Sequence, residues 1–232
     1  VYLDQKLIDN ILSSLNKPIK TATGAGLLRD LLAGDSGDAV PFVLSEQVKQ
    51  LISQLLAQES IEQPNNLLAT LRDYQYQGYC WLYKNVRLGF GSVIADDMGL
   101  GKTLQVISCI LKLKQEKLVR NSLVVVPTSL LTNWAKELQR FAPELSITTY
   151  HGKDRSNLST DDITLITYGT VRRDIEKINK HKWDLLVIDE AQNIKNLSSQ
   201  QTKLVKSIKS KYRIAMSGTP VENRLLEYYS IM

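Results

Sequence analysis

The sequence predicts an α/β fold in which a mostly parallel sheet is sandwiched between helices, with a small, mainly helical segment in front of it. Three observations predict it. From Leu71 onward, apolar runs rich in β-branched residues alternate with patterns of helical spacing, the order that builds parallel sheets. The run at Ser92–Ala95 passes through a turn holding Gly99 and Gly101 into a stretch whose apolar residues Leu104, Ile107, Ile110 and Leu111 recur at helical spacing. Polar residues of distinctive chemistry follow the carboxyl ends of the runs, where open α/β sheets bind ligands.

In chain order, Leu7, Ile8, Ile11, Leu12 and Leu15 give residues 1–19 an amphipathic pattern that Pro18 stops, and residues 20–40 are rich in Gly, Ala, Ser and Asp. Gly24-Ala25-Gly26 is read as a turn, because no strand precedes it. A second helix starts at Ser45, with Glu46 in its first turn and Val48, Leu51, Ile52, Leu55 and Leu56 as one apolar stripe. Gln63-Pro64-Asn65-Asn66 then interrupts the pattern. The expected division is an accessory segment at 1–65 and the main domain at 66–232. In that domain the runs are Ser92–Ala95, Leu123–Val126, Ile147–Tyr150, Ile163–Thr167, Leu185–Ile188 and Arg213–Met216. Helices are expected near 101–116, 129–141, 170–179, 198–208 and 221–231.

Composition narrows the function classes. Of 232 residues, 43% are apolar, enough for a sizeable core. Cys80 and Cys109 lack metal-ligand spacing and fall among apolar residues of helical stretches, so both are read as reduced core thiols. His151 and His181 have no partner at zinc-ligand spacing. No apolar run reaches membrane-spanning length and the N-terminal residues do not read as a signal peptide, so a reducing, cytoplasmic setting without a membrane partner is expected. Residues 1–70 hold five Lys/Arg against eight Asp/Glu, whereas residues 71–232 hold 24 against 16. The positive charge accompanies the glycine turn, which suits a polyanion.

That turn, Asp96-Asp97-Met98-Gly99-Leu100-Gly101-Lys102-Thr103, reads as a phosphate cradle. Glycines let backbone N–H groups face inward, and the following helix adds its N-terminal dipole. Lys102 would reach the β- and γ-phosphates and the Thr103 hydroxyl would hold Mg²⁺. Asp96 occupies the first glycine position of the G-x-x-x-x-G-K-[ST] pattern, so strand and helix context carry the reading. Leu185-Leu186-Val187-Ile188 runs into Asp189-Glu190, two acids at a buried strand end that need a counter-charge. A magnesium nucleotide supplies one: Asp189 would complete the Mg²⁺ shell and Glu190 would orient or deprotonate the attacking water. Ser217-Gly218-Thr219 could sense the γ-phosphate through Glu190, although the same residues also suit a helix start. Hydroxyls and N–H groups at Pro127-Thr128-Ser129 could hold a nucleic-acid phosphate, and an N-cap explains them equally well. Thr167-Tyr168-Gly169-Thr170, followed by Arg172-Arg173, falls on the same rim.

These stretches, together with Leu71-Arg72-Asp73-Tyr74-Gln75, Val126-Pro127-Thr128-Ser129-Leu130-Leu131-Thr132-Asn133-Trp134, Tyr150-His151-Gly152, Asp189-Glu190-Ala191-Gln192 and Ser217-Gly218-Thr219-Pro220, resemble the first RecA-like lobe of Swi/Snf-type DNA-translocating ATPases, in helicase superfamily two. In that family aspartate is usual at the position of Asp96. The resemblance implies an ATP site formed by Gln75, Asp97, Met98, Gly99, Leu100, Gly101, Lys102, Thr103 and Leu104, with Gln75 on the adenine. It implies Asp189 and Glu190 as the hydrolytic pair, and Gln192 with the Ser217, Gly218 and Thr219 loop as the link between nucleotide state and lobe motion. It also implies a duplex-DNA contact along Pro127, Thr128, Ser129, Thr167, Tyr168 and Gly169. The cofactors implied are ATP and Mg²⁺. The partners implied are double-stranded DNA, a second RecA-like lobe following residue 232, and DNA-bound proteins that are displaced or remodelled. The compartment implied is cytoplasm or nucleoid in a bacterium and nucleus in a eukaryote. An RNA-helicase lobe and a non-catalytic nucleotide-binding module are the rival readings. A lone first lobe is expected to hydrolyse ATP poorly, since a completing arginine is worth about three to five orders of magnitude in rate.

Overall fold

Parallel strands buried on both faces need apolar side chains in both directions, and β2 (Ser122–Val126) and β4 (Ile163–Thr167) are buried at every position. The computed structural model describes residues 60–97, 99–152, 158, 161–194, 196 and 198–218, together with Glu46, Gln50, Ser53 and Gln54. By contacts the chain divides into two compact units, Val1–Gln58 and Glu59–Met232. In the first, the four described residues are helical and exposed, as the polar face of the expected helix from Ser45 requires. Its apolar stripe, and the helix expected at 221–231, lie outside the described residues.

The second unit runs α1 (Asp73–Arg87), β1 (Ser92–Ile94), α2 (Lys102–Gln115), β2, a 3₁₀ turn at Thr128–Leu130, α3 (Leu131–Phe141), β3 (Ile147–Tyr150), β4, α4 (Tyr168–Lys180), β5 (Trp183–Ile188), a 3₁₀ turn at Ala191–Ile194, α5 (Gln200–Ser207) and β6 (Ser210–Met216). The sheet order is β1-β6-β5-β2-β4-β3 and every pairing is parallel. All six runs expected from the sequence are strands. Side-chain alternation then divides the core. Val124, Val126, Leu185 and Val187 face α1, α2 and α3 with Leu82, Ile110 and Trp134, while Leu123, Val125, Leu186 and Ile188 face α4 and α5 with Val171, Ile178 and Val205. Each such fully buried aliphatic side chain stabilises the fold by about 1.5–3 kcal/mol.

The helix α1, which the sequence reading leaves unbounded, buries Tyr79, Leu82, Tyr83 and Val86. Its phenols fasten the preceding strand of chain to it: Tyr76 donates to the Ile61 carbonyl (3.0 Å) and Tyr79 to that of Glu62 (2.7 Å). Residues 59–65, placed by sequence with the first segment, therefore fall in the second unit. Cys80 and Cys109 are free thiols, the latter fully buried, and burial pushes the Cys109 thiol far up. Among the described residues no helix is long and apolar enough to cross a membrane.

Register places the strand ends at one level, with Ile94 opposite Met216 and Ile188 opposite Ala215. Along the carboxyl edge of the sheet the connections after β1, β6, β5, β2 and β4 thus follow one another. They carry the glycine turn, Ser217, Asp189-Glu190, Pro127-Thr128 and Tyr168-Gly169.

Candidate nucleotide site and the rim beside it

The loop from β1 to α2 turns at Gly99 (φ 83°) and Gly101 (φ 76°), the latter capping α2. At Gly101 a Cβ would lie 2.3 Å from Gln75 Nε2, whereas at Gly99 it would meet nothing within 4 Å. Glycine is thus required twice over at 101 and once at 99. The close approach exists because the buried Gln75 amide braces the loop, its Nε2 donating to the Leu100 carbonyl (3.1 Å) and its Oε1 accepting from the Arg72 N–H (3.0 Å). The Lys102 ammonium folds back over the loop, donating to the carbonyls of Asp96 (2.7 Å) and Asp97 (2.8 Å). Gly101→Ala is expected to cost about 1–2 kcal/mol from the backbone alone, or about 2–8 °C in Tm for a domain of this size. It should also dislodge Gln75 and weaken nucleotide binding. Gly99→Ala should show only the backbone cost, so equal losses of nucleotide affinity in the two variants would contradict the bracing role of Gln75.

The acid pair closes the interior strand β5. The Asp189 N–H continues the ladder to the Val125 carbonyl (2.9 Å), which fixes its position before its side chain is considered. The side chain is 6% exposed; its Oδ2 accepts from the Trp134 indole N–H (2.7 Å) and its Oδ1 from the Glu190 N–H (2.8 Å). Burial pushes the Asp189 carboxyl above its ordinary range, partly opposed by the Trp134 and Glu190 donors and by the Lys102 charge. A cation bound at the carboxylate would offset that burial and favour its charged form. Glu190 takes a left-handed φ of 50°, unusual for a residue with a side chain. Its carbonyl accepts from the Asn193 N–H and Asn193 Nδ2, both at 2.9 Å. Its carboxylate accepts from Gln192 Nε2, and Gln192 Oε1 accepts from the Ser217 hydroxyl at 2.9 Å. Glu190, Gln192 and Ser217 thus form one hydrogen-bonded series across the ends of β5 and β6. Gly218 follows half-buried; Thr219 and Met98 lie outside the described residues.

Gly99, Gly101, Lys102, Thr103, Asp189 and Glu190 line a single cleft of about 280 Å³. It presents helix N-terminal amides, an ammonium, a hydroxyl and two carboxylates, a donor set that fits a triphosphate with a hard divalent cation. Asp97 and Leu100 are exposed beside it and Leu104 is half-buried. Leu130, Asn133, Trp134 and Glu137 from the start of α3 complete the wall. In the sequence Trp134 stands only at the end of the stretch from Val126 that resembles the family, with no role attached to it. Its N–H was the available signal, because a buried indole N–H seeks an acceptor.

The rim is more selective than its sequence suggests. Thr128 and Ser129 are exposed and Pro127 half-exposed. Thr167 is buried as the N-cap of α4, its Oγ1 accepting from the Thr170 N–H (3.3 Å) and lying 2.9 Å from Thr170 Oγ1. Tyr168, 7% exposed, donates its phenol to the Asp189 carbonyl at 2.6 Å. The Thr167 and Tyr168 side chains therefore face inward, and of these three positions only Gly169 is exposed.

The SNF2-related domain family matches residues 74–232. The chain is similar to YwqA of Bacillus subtilis, assigned by name to the ATP-dependent helicases/translocases, with 38% identity over 213 residues, 87% of this chain and 23% of that protein. It is 36% identical over 189 residues to Helicase SWR1 of Candida glabrata, covering 76% of this chain and 13% of that one. Among solved structures it resembles the Sulfolobus solfataricus SWI2/SNF2 ATPase core in complex with dsDNA, with a TM-score of 0.71 and 46% identity over 75% of this chain and 37% of that chain. It thus spans less than a quarter of these curated relatives. The family match runs from Tyr74 in α1 to Met232, well over half of the sequence, and the parallel sheet agrees with it: the chain belongs to the SNF2-related family and has the RecA-like ATPase-core fold.

Proposed function

We propose that this chain is the first, ATP-binding lobe of an ATP-dependent motor that moves along double-stranded DNA and displaces or remodels proteins bound there. One observation carries the proposal: the glycine loop with Lys102 and Thr103, and the acid pair Asp189-Glu190, line one cleft. Loop amides and Lys102 bind the phosphates. Gln75, with one N–H and one lone pair beyond its bonds to Arg72 and Leu100, remains able to meet the adenine edge. Thr103 and Asp189 would hold Mg²⁺, which supplies charge neutralisation on the phosphate oxygens. Glu190, held by Gln192, orients the water attacking the γ-phosphorus and accepts its proton, as the bond to the β,γ-bridging oxygen breaks and ADP leaves. Ser217, through Gln192, reports the state of Glu190 to the end of β6, and Gly218 with Thr219 carries it onward.

The duplex lies along Pro127, Thr128, Ser129 and Gly169, its phosphates met by hydroxyls and backbone N–H groups, with Thr167 and Tyr168 contributing backbone only. Duplex DNA as the partner is supported by the solved relative in complex with dsDNA. A second RecA-like lobe completes the ATP site, and residues 1–58 form an accessory segment. The motor works in the cytoplasm or nucleoid of a bacterium, or the nucleus of a eukaryote. In a polypeptide carrying both lobes, duplex DNA is expected to raise steady-state ATP turnover at least tenfold and RNA far less. Equal or stronger stimulation by RNA would favour an RNA helicase, and turnover indifferent to both would remove the motor reading.

A further inference from the structure

Both rim segments lead directly into a side chain that reaches the acid pair. The 3₁₀ turn at Thr128–Leu130 opens α3, whose Trp134 donates from Nε1 to Asp189 Oδ2 at 2.7 Å. Thr167 caps α4, whose first residue, Tyr168, donates to the Asp189 carbonyl at 2.6 Å and lies 3.4 Å from that of Glu190. One bond fixes the carboxylate and the other fixes the backbone, at the point where Glu190 departs into left-handed φ. Neither side chain is free to meet a ligand at the rim, since Trp134 is 1% and Tyr168 7% exposed.

We infer that Trp134 and Tyr168 are positioning residues for hydrolysis, through which the rim segments at 127–130 and 167–170 set the geometry of Asp189 and Glu190. The rim segments follow β2, which lies beside β5, and β4, the strand beyond it, so a small shift of either is transmitted to the acid pair through one side-chain hydrogen bond. DNA at the rim and water at Glu190 are then coupled within this lobe, apart from any motion of a second one. The inference rests on the duplex-motor reading above.

The test compares four single substitutions in the polypeptide carrying both lobes. Trp134→Phe and Tyr168→Phe each remove one donor and keep a ring. Trp183→Phe and Tyr79→Phe are matched controls: the buried Trp183 indole donates to the Ile178 carbonyl (3.1 Å) and the buried Tyr79 phenol to the Glu62 carbonyl (2.7 Å), both away from the acid pair. A merely structural role predicts similar behaviour in all four. Positioning predicts that Trp134→Phe and Tyr168→Phe lower duplex-stimulated kcat about tenfold, with duplex affinity within about twofold of the parent, while both controls keep stimulated kcat within about twofold. For Tyr168→Phe, which retains every carbon of the side chain, kcat should fall without a matching change in KM for ATP. Equal kcat in test and control variants overturns the inference and leaves the motor reading standing. A parent protein that duplex DNA fails to stimulate overturns both.

Discussion

Glu190→Gln is expected to lower ATP turnover by about 10²–10⁴-fold, the range for losing a positioned general base, while nucleotide affinity stays within a few fold. The substitution keeps the side chain's length and still offers an oxygen to Gln192 Nε2, the partner of the native carboxylate. The strained backbone, held by Asn193 and Tyr168, should be unaffected. What disappears is the capacity to accept a proton from water. Single-turnover hydrolysis beside equilibrium binding of a fluorescent ATP analogue separates the two quantities. Unchanged turnover would take Glu190 out of the hydrolytic role.

Lys102→Ala is expected to fail in the opposite way, at binding. Its ammonium is the positive side chain at the mouth of the glycine loop, and two loop carbonyls are its partners. Removing one member of a desolvated, charge-assisted hydrogen-bond set costs about 2–4 kcal/mol, or about 30- to 1000-fold in affinity for ATP. The loss should be much smaller for adenosine, which has no phosphate to meet Lys102, and calorimetric titration of both ligands measures the difference. A uniform loss for nucleotide and nucleoside would mean that the substitution deforms the loop instead of deleting a phosphate contact.

The two variants divide the cleft into a part that holds the substrate and a part that uses it, and the division follows from the sheet. The strand order sets β1 beside β6 and β6 beside β5, so a loop that binds phosphate and a pair of acids that acts on it emerge two strands apart with Ser217 between them. The Ser217 N–H also donates to the Ile94 carbonyl at 2.9 Å. The residue that touches Gln192 is therefore fixed to the strand that carries the phosphate loop.

Much of this was legible in the sequence because it is local. Val124, Val126, Leu185 and Val187 announce buried parallel strands, and Gly99, Gly101, Lys102 and Thr103 announce their turn chemistry without reference to distant residues. Helix α1 was less legible. Its buried face is built from Tyr79 and Tyr83 and interrupted by Gln75 and Asn85, so polar atoms blur the apolar periodicity. Tyr168 looked like part of a rim loop because its hydroxyl and the glycine after it suit one. As the first residue of α4 it turns inward, towards an acceptor 21 residues along the chain. The Trp134–Asp189 bond spans 55 residues, and only the sheet order brings its ends together. Gln75 is similar: the family resemblance implied an adenine contact for it, whereas its use as a brace for Leu100, 25 residues away, required the fold.

The central claim is that one divalent cation and one triphosphate are held jointly by the loop around Lys102 and the end of β5. Crystals of the chain grown with Mn²⁺ and a non-hydrolysable ATP analogue test it directly, through the anomalous signal of the metal. The account predicts a single metal peak in the cleft, about 2.1–2.2 Å from the Thr103 hydroxyl, with Asp189 bound to it directly or through one of its waters and the γ-phosphate beside Lys102. A metal held away from Asp189, or a nucleotide bound elsewhere on the lobe, would contradict it.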